Sequence, residues 1–175
     1  MNKAALFMLV GMITAIEADA QASLSPSPTA PKIDGSVSAG EYEYSTTVNG
    51  IKVSAILGDE GNLYLAVEAR TSGWVALGTG SLAMKGSRLY MAAMRDGKPV
   101  FSEFMAAGHG TAPVKDTVAS SWAVGSSGGS TTLELAVPSS AALSDGSLKI
   151  IFSYSTSPDF RIKHRSRGSL SIAIK

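Results

Sequence analysis

The stretch that decides the fold is Gly73–Asp116, GWVALGTGSLAMKGSRLYMAAMRDGKPVFSEFMAAGHGTAPVKD. It begins with a short apolar run, Trp74 to Leu77, that ends in the glycine-rich turn Gly78-Thr79-Gly80. A polar segment carrying Met84 follows, then a strand pattern over Leu89 to Met94. Asp96-Gly97 then turns the chain so that Val100 to Ala106 pairs back, and Gly108-His109 forms a further turn. An Asp-Gly pair between two apolar runs marks a two-residue hairpin, because both turn residues must tolerate positive φ.

Both flanks repeat the pattern. Upstream, Glu41 to Val48 is strand-like, and Ile51, Val53, Ala55 and Leu57 alternate against Lys52 and Ser54. The turn Asp59-Glu60-Gly61-Asn62 leads into Leu63, Leu65 and Val67, which alternate against Tyr64, Ala66 and Glu68. Downstream, Thr117 to Val124 holds Trp122 in a strand, SSGGS (Ser126 to Ser130) is a turn, and Leu133, Leu135 and Val137 alternate with Glu134 on the other face. Pro138 stops that strand, and Ser139 to Leu143 suits one helical turn. Leu148, Ile150, Phe152 and Tyr154 form another strand, and Leu170, Ile172 and Ile174 the last. Period-2 alternation places one face of each run in a core. About ten short strands without helical periodicity predict an all-β chain, an antiparallel two-sheet β-sandwich.

The chain has 175 residues, 45% of them hydrophobic and 17% charged, which suits one domain with a real core. A net charge of +1 without a basic helix argues against nucleic acid as a partner. The absence of cysteine excludes disulfides, thiolate zinc sites and covalent haem attachment. Residues 1–22 have the form of a secretory signal peptide: Lys3, the apolar run Ala4 to Ile16, then small residues ending at Ala22. Residues 23–31 (SLSPSPTAP) are expected as a Ser/Pro-rich linker, and the sandwich domain as residues 32–175. The mature chain is then expected in the periplasm or secreted, with no membrane span after signal cleavage.

Enzyme constellations are thin. There is no G-x-S-x-G elbow, Glu103 and Glu134 stand isolated on strands, and Gly78-Thr79-Gly80 is too short for a phosphate loop. The expectation is a ligand-binding or electron-transfer domain without a catalytic site of its own. Met and His remain. Met91, Met94 and Met105 read as core fillers, whereas Met84 sits in a polar, glycine-flanked turn. His164 lies among Arg161, Lys163, Arg165 and Arg167, which fits either a solvated basic loop or an axial haem ligand. On the second reading the arginines pair with haem propionates through charge-assisted hydrogen bonds. Met/His ligation raises the reduction potential of haem iron and suits electron transfer. His109 is either a turn residue bonded to backbone or Asp116, or an alternative metal ligand. Trp74 and Trp122 are core or pocket wall, or platforms for a sugar. A thioether and imidazole set (Met84, Met91, Met94, Met105, His109) also suits Cu(I), although Met91 and Met94 should point to opposite faces.

Gly73 to Gly80, Met84-x-Gly86, Gly108-His109 with Pro113 and Asp116, Lys32-Ile33-Asp34-Gly35 with Gly40-Glu41-Tyr42, and His164-x-x-Arg167-Gly168-Ser169 together resemble the DOMON family. The resemblance covers Lys32 to Lys175. It implies an immunoglobulin-like β-sandwich that binds haem or sugar outside the cytoplasm. The haem-binding members resemble the cytochrome domain of cellobiose dehydrogenase, in which a Met after the glycine-rich turn and a His near the last strand hold haem b non-covalently. Carried over, these are Met84 and His164, with Trp74, Arg161, Arg165 and Arg167 around the cofactor. The implied partner is a redox protein, either a dehydrogenase or a membrane cytochrome. The competing readings are a carbohydrate-binding module and a periplasmic copper-binding protein.

Overall fold

A computed structural model describes residues 22–108 and 110–175. The expected signal peptide, apart from Ala22, and His109 lie outside the described residues. The strands are β1 (Ser23–Leu24), β2 (Pro26–Ser27), β3 (Tyr44–Val48), β4 (Ile51–Gly58), β5 (Asn62–Ala69), β6 (Val75–Thr79) and β7 (Arg88–Arg95). They continue with β8 (Lys98–Ala107), β9 (Gly110–Pro113), β10 (Ser121–Ser127) and β11 (Ser130–Pro138). One helical turn, α1 (Ser139–Ala142), precedes β12 (Leu143–Ser144), β13 (Ser147–Tyr154) and β14 (Ser166–Ile174). One sheet runs β1-β14-β13-β6-β7-β8-β9, with β12 also on β13. The other runs β10-β11-β5-β4-β2, with β3 also on β4. Among the described residues, no helix is long and apolar enough to cross a membrane.

The two sheets pack face to face, and the alternating residues meet between them. Ile51, Val53, Leu63, Leu65, Val67, Leu133, Leu135 and Val137 from one sheet are fully buried against Val75, Leu77, Tyr90, Leu148, Ile150 and Ile172 from the other. Burying each such side chain contributes roughly 1.5–3 kcal/mol, so this layer dominates the stability. At the β7–β8 hairpin Asp96 and Gly97 both take positive φ, 51° and 73°, as the predicted turn requires.

Three expectations are corrected. Residues 23–31 do not form a linker over their whole length: β1 pairs parallel with β14, β2 pairs parallel with β4, and Leu24 is fully buried in the core. Pro26 is tolerated there because β2 is an edge strand. These parallel pairs make both sheets mixed within the expected all-β two-sheet sandwich. The strand expected over Thr117 to Val124 begins only at Ser121. The N–H groups of Val118 and Ala119 donate to the Glu103 carboxylate instead of a strand partner. Trp122 lies outside the deep core. It is 40% exposed at the open side of the sandwich, stacked on Phe101 with ring centroids 4.9 Å apart.

Candidate functional site

Strand alternation gives the first sheet a second, outward face. With Val75, Leu77, Tyr90, Ile150 and Phe152 turned inward, Ala76, Gly78, Leu89, Met91, Ile151 and Ser153 turn outward. Two loops fold over this face from opposite ends of β6. Residues 80–87 leave its Thr79 end, and residues 155–165 approach its Val75 end, because β13 runs antiparallel to β6 with Tyr154 opposite Val75. Between them lies a cleft of about 1010 Å³, the size of a cofactor site. The tip of the β8–β9 hairpin adds Gly108, Gly110 and Thr111 to its wall.

The structure brings Met84 from the first loop and His164 from the second to this one cleft. Trp74, Arg161 and Arg167 line it as well, whereas Arg165 is exposed outside the lining. Met91 lines the cleft, and Met94 and Met105 do not, so the methionine set considered for copper is dispersed. Among the described residues no three His, Asp or Glu side chains gather as a metal group. Trp122, the other candidate sugar platform, is also outside the cleft.

Each loop is held by a polar residue that sequence reading passed over. Ser87, fully buried, donates its Oγ to the Ala83 carbonyl at 2.6 Å and its N–H to the Met84 carbonyl at 3.1 Å. The Gly86 N–H donates to the Ala106 carbonyl, tying the loop to β8. The Met84 turn is therefore anchored on both sides. On the other loop, Trp74 donates its indole Nε1–H to the Ile162 carbonyl at 3.1 Å and its backbone N–H to Ser157 at 3.0 Å. Thr71, in the crossover from β5 to β6, donates Oγ1 to the Ser155 carbonyl at 2.7 Å and accepts the Gly73 N–H at 2.9 Å. Thr131 of the far sheet donates to the Thr71 carbonyl at 2.8 Å, and Ser155 Oγ donates to the Lys163 carbonyl at 3.3 Å. A hydrogen-bonded series thus runs from the second sheet to the residue before His164. Gly73 makes the approach possible, since a Cβ there would collide with the Ser155 carbonyl oxygen. Single Ser and Thr residues in a Ser/Thr-rich chain carry no spacing signal, which is why these were not legible.

The electrostatics of the cleft are one-sided. Burial is the main reason the His164 imidazole is held below its ordinary value, and the positive charges of Arg167 and Lys163 add to it. A shift in this direction favours the neutral ring, the form that ligates metals. Arg161 pairs with Asp159 at 2.7 Å and its hydrogen bond holds that carboxyl down at about 2. Among the described residues, Lys85, Lys163 and Arg167 join no ion pair. Phe160 closes the apolar wall, packed edge-on against Phe104 and under the Arg95 guanidinium.

The two isolated glutamates hold loops elsewhere. Glu103 on β8 accepts Arg88 at 2.8 Å and the N–H groups of Val118 and Ala119. Glu134 on β11 accepts the N–H groups of Asp34, Gly35 and Ser36 and the Tyr42 hydroxyl. The Lys32–Gly35 and Gly40–Tyr42 segments that carried part of the family resemblance are thus a clamp around Glu134.

The donor set suits haem b. An imidazole and a thioether are donors of the kind that hold haem iron, cations at the mouth are of the kind that pair with carboxylates, and the walls are largely apolar. The floor is kept low at Gly78, where a Cβ would press on Leu89 and Ile151 at 2.6 and 2.7 Å.

No family model matches the chain, and no curated protein matches it by sequence. Among solved structures, it is similar to the cytochrome b domain of pyranose dehydrogenase from Coprinopsis cinerea. The TM-score is 0.56 at 12% identity, over 70% of this chain and 76% of that one. It is also similar to the cytochrome domain of Myriococcum thermophilum cellobiose dehydrogenase, with a TM-score of 0.52 at 12% identity, over 75% and 81%. At this identity the likeness establishes the fold. The all-β sandwich of this chain is the fold of those cytochrome domains.

Proposed function

We propose that the domain binds haem b non-covalently in the cleft, with Met84 and His164 as axial ligands, and relays single electrons outside the cytoplasm. The observation that supports this most is the meeting of one thioether and one imidazole, from loops at opposite ends of β6, in a single apolar cleft with a cationic mouth. The likeness in fold to two cytochrome domains supports it further. Arg161 and Arg167, which line the cleft, would pair with the propionates; Arg165, outside the lining, is assigned no part.

Haem supplies a one-electron iron couple, and ligation by Met and His favours the reduced state relative to bis-imidazole ligation. The chain does the rest. Ser87 holds the Met84 turn, and Trp74 with Thr71 and Ser155 holds the His164 loop, which would limit motion of the two donors. Trp74, Leu89, Met91, Ile151 and Phe160 exclude water from the cleft wall. No proton-transfer group is required. Its redox partner would be a dehydrogenase or a membrane cytochrome.

The test is the visible spectrum of protein expressed into the periplasm with haem supplied, oxidised and then reduced with dithionite. A sharp Soret band with resolved α and β bands on reduction is expected. Met84→Ala and His164→Ala should each lose the low-spin spectrum while the fold survives, and His109→Ala should leave it intact. A protein that stays colourless through haem titration would overturn the reading. Loss of the low-spin spectrum in His109→Ala alone would overturn the ligand assignment.

A further inference from the structure

We propose that the mouth of the cleft is a docking face for an electron-transfer protein with a carboxylate-rich surface. The proposal rests on the electron-transfer reading and assigns its partner a chemistry. Four large hydrophobic side chains are exposed among the described residues: Leu82, Met105, Trp122 and Ile162. Two of them, Leu82 at 47% and Ile162 at 49%, line the cleft from opposite loops. They form a pair of apolar lips at its opening. Around them stand Lys85, Arg161, Lys163 and Arg167, and among the described residues no Asp or Glu lines the cleft.

This bias is local. The whole chain carries 15 basic and 14 acidic residues, so a random patch would be near neutral. Arg165, exposed on the same segment, raises the cations to five. Asp159 offsets one of these through Arg161, and the two carboxylates of a haem would offset two more. The mouth stays positive with or without haem. A small apolar centre inside a charged rim is the anatomy of a transient protein interface. Opposite charge on the partner would steer its encounter and set its orientation. A nucleic acid or membrane surface would need a wider basic field than a chain of net charge +1 provides.

The test is a titration of the isotope-labelled protein, followed by backbone amide NMR, with two small redox carriers as probes. One is an acidic plant-type ferredoxin and the other a lysine-rich cytochrome c. The ferredoxin should shift amides of residues 81–87 and 160–168, and the cytochrome c should not. The shifts should vanish as salt approaches about 1 M, where charges are screened beyond about 3 Å. Lys85→Glu with Lys163→Glu should weaken the ferredoxin roughly tenfold. Shifts centred elsewhere, equal responses to both probes, or salt-insensitive binding would overturn the docking face. The visible spectrum of the same sample reports on haem independently. Lip shifts in a protein that never takes haem would overturn the electron-transfer reading and keep the acidic docking face. A normal haem spectrum without lip shifts would do the reverse.

Discussion

Replacing Thr71 by Val tests whether the His164 loop is held through the sandwich. Valine keeps the shape and loses the hydroxyl. Two buried hydrogen bonds go: the 2.7 Å donation to the Ser155 carbonyl and the 2.9 Å acceptance of the Gly73 N–H. Each such bond contributes about 0.5–1.5 kcal/mol net, and a buried N–H left without a partner costs about 1–3 kcal/mol. The expected loss is about 2–4 kcal/mol, measured as the urea midpoint of the apo protein at unchanged slope. Thr71→Ser keeps the hydroxyl and should cost about 1 kcal/mol, the value of one buried methyl group. In haem-loaded protein, Thr71→Val should also move part of the population from a low-spin to a five-coordinate spectrum, because Ser155 bridges to the carbonyl next to His164. A Val variant within about 0.5 kcal/mol of the wild type, with an unchanged spectrum, would refute the idea that this series of hydrogen bonds positions the loop.

Two further perturbations bear on the loops and clamps. Gly73→Ala pushes a methyl into the Ser155 carbonyl oxygen, a backbone atom that cannot swing aside. It should lower the unfolding midpoint more than Gly50→Ala, where nothing lies within 4 Å and only the positive φ of 75° strains an alanine; equal effects would mean that the close approach is slack. Glu134→Ala leaves the Gly35 N–H and Tyr42 hydroxyl buried without acceptors and should cost about 2–5 kcal/mol, against about 1 kcal/mol for Glu134→Gln, which keeps one acceptor oxygen. Burial pushes the Glu134 carboxyl above its ordinary value, against the pull of Tyr42 and the three N–H groups. A group raised in the folded state contributes stability that is complete below its unfolded value and is lost as pH rises through its folded value. Stability should therefore fall with rising pH across that window, and Glu134→Gln should remove this component. An unchanged pH slope in the variant would show that Glu134 ionises normally.

The strands were legible because alternation is a local property. Leu63, Leu65 and Val67 could be assigned to one buried face without knowing what lay opposite them, and Asp96-Gly97 could be assigned to a hairpin from the φ values its residues tolerate. Composition alone also removed thiol chemistry and covalent haem from consideration. Met84 and His164 could be singled out as polar-loop residues of metal-ligating type. The N-terminal strands were missed because SLSPSPTAP has linker composition, and only the pairing of β1 with β14 and β2 with β4 makes it structural. The start of β10 was misplaced because a single carboxylate on another strand captures the N–H groups of Val118 and Ala119. Glu103 and Glu134 looked isolated for the same reason: their partners are backbone groups distant in sequence.

What the sequence by itself determined is the period-2 burial pattern, and with it an all-β sandwich. That follows from the geometry of a single extended chain and needs no partner strand. Only the tertiary structure decided that the loops at the two ends of β6 cover one outer face, so that Met84 and His164 line a common cleft with cations at its mouth. Which strands become neighbours depends on the summed packing of both sheets and on buried links such as Thr131 to Thr71 to Ser155. Those contacts join residues far apart in the chain, and no local pattern records them.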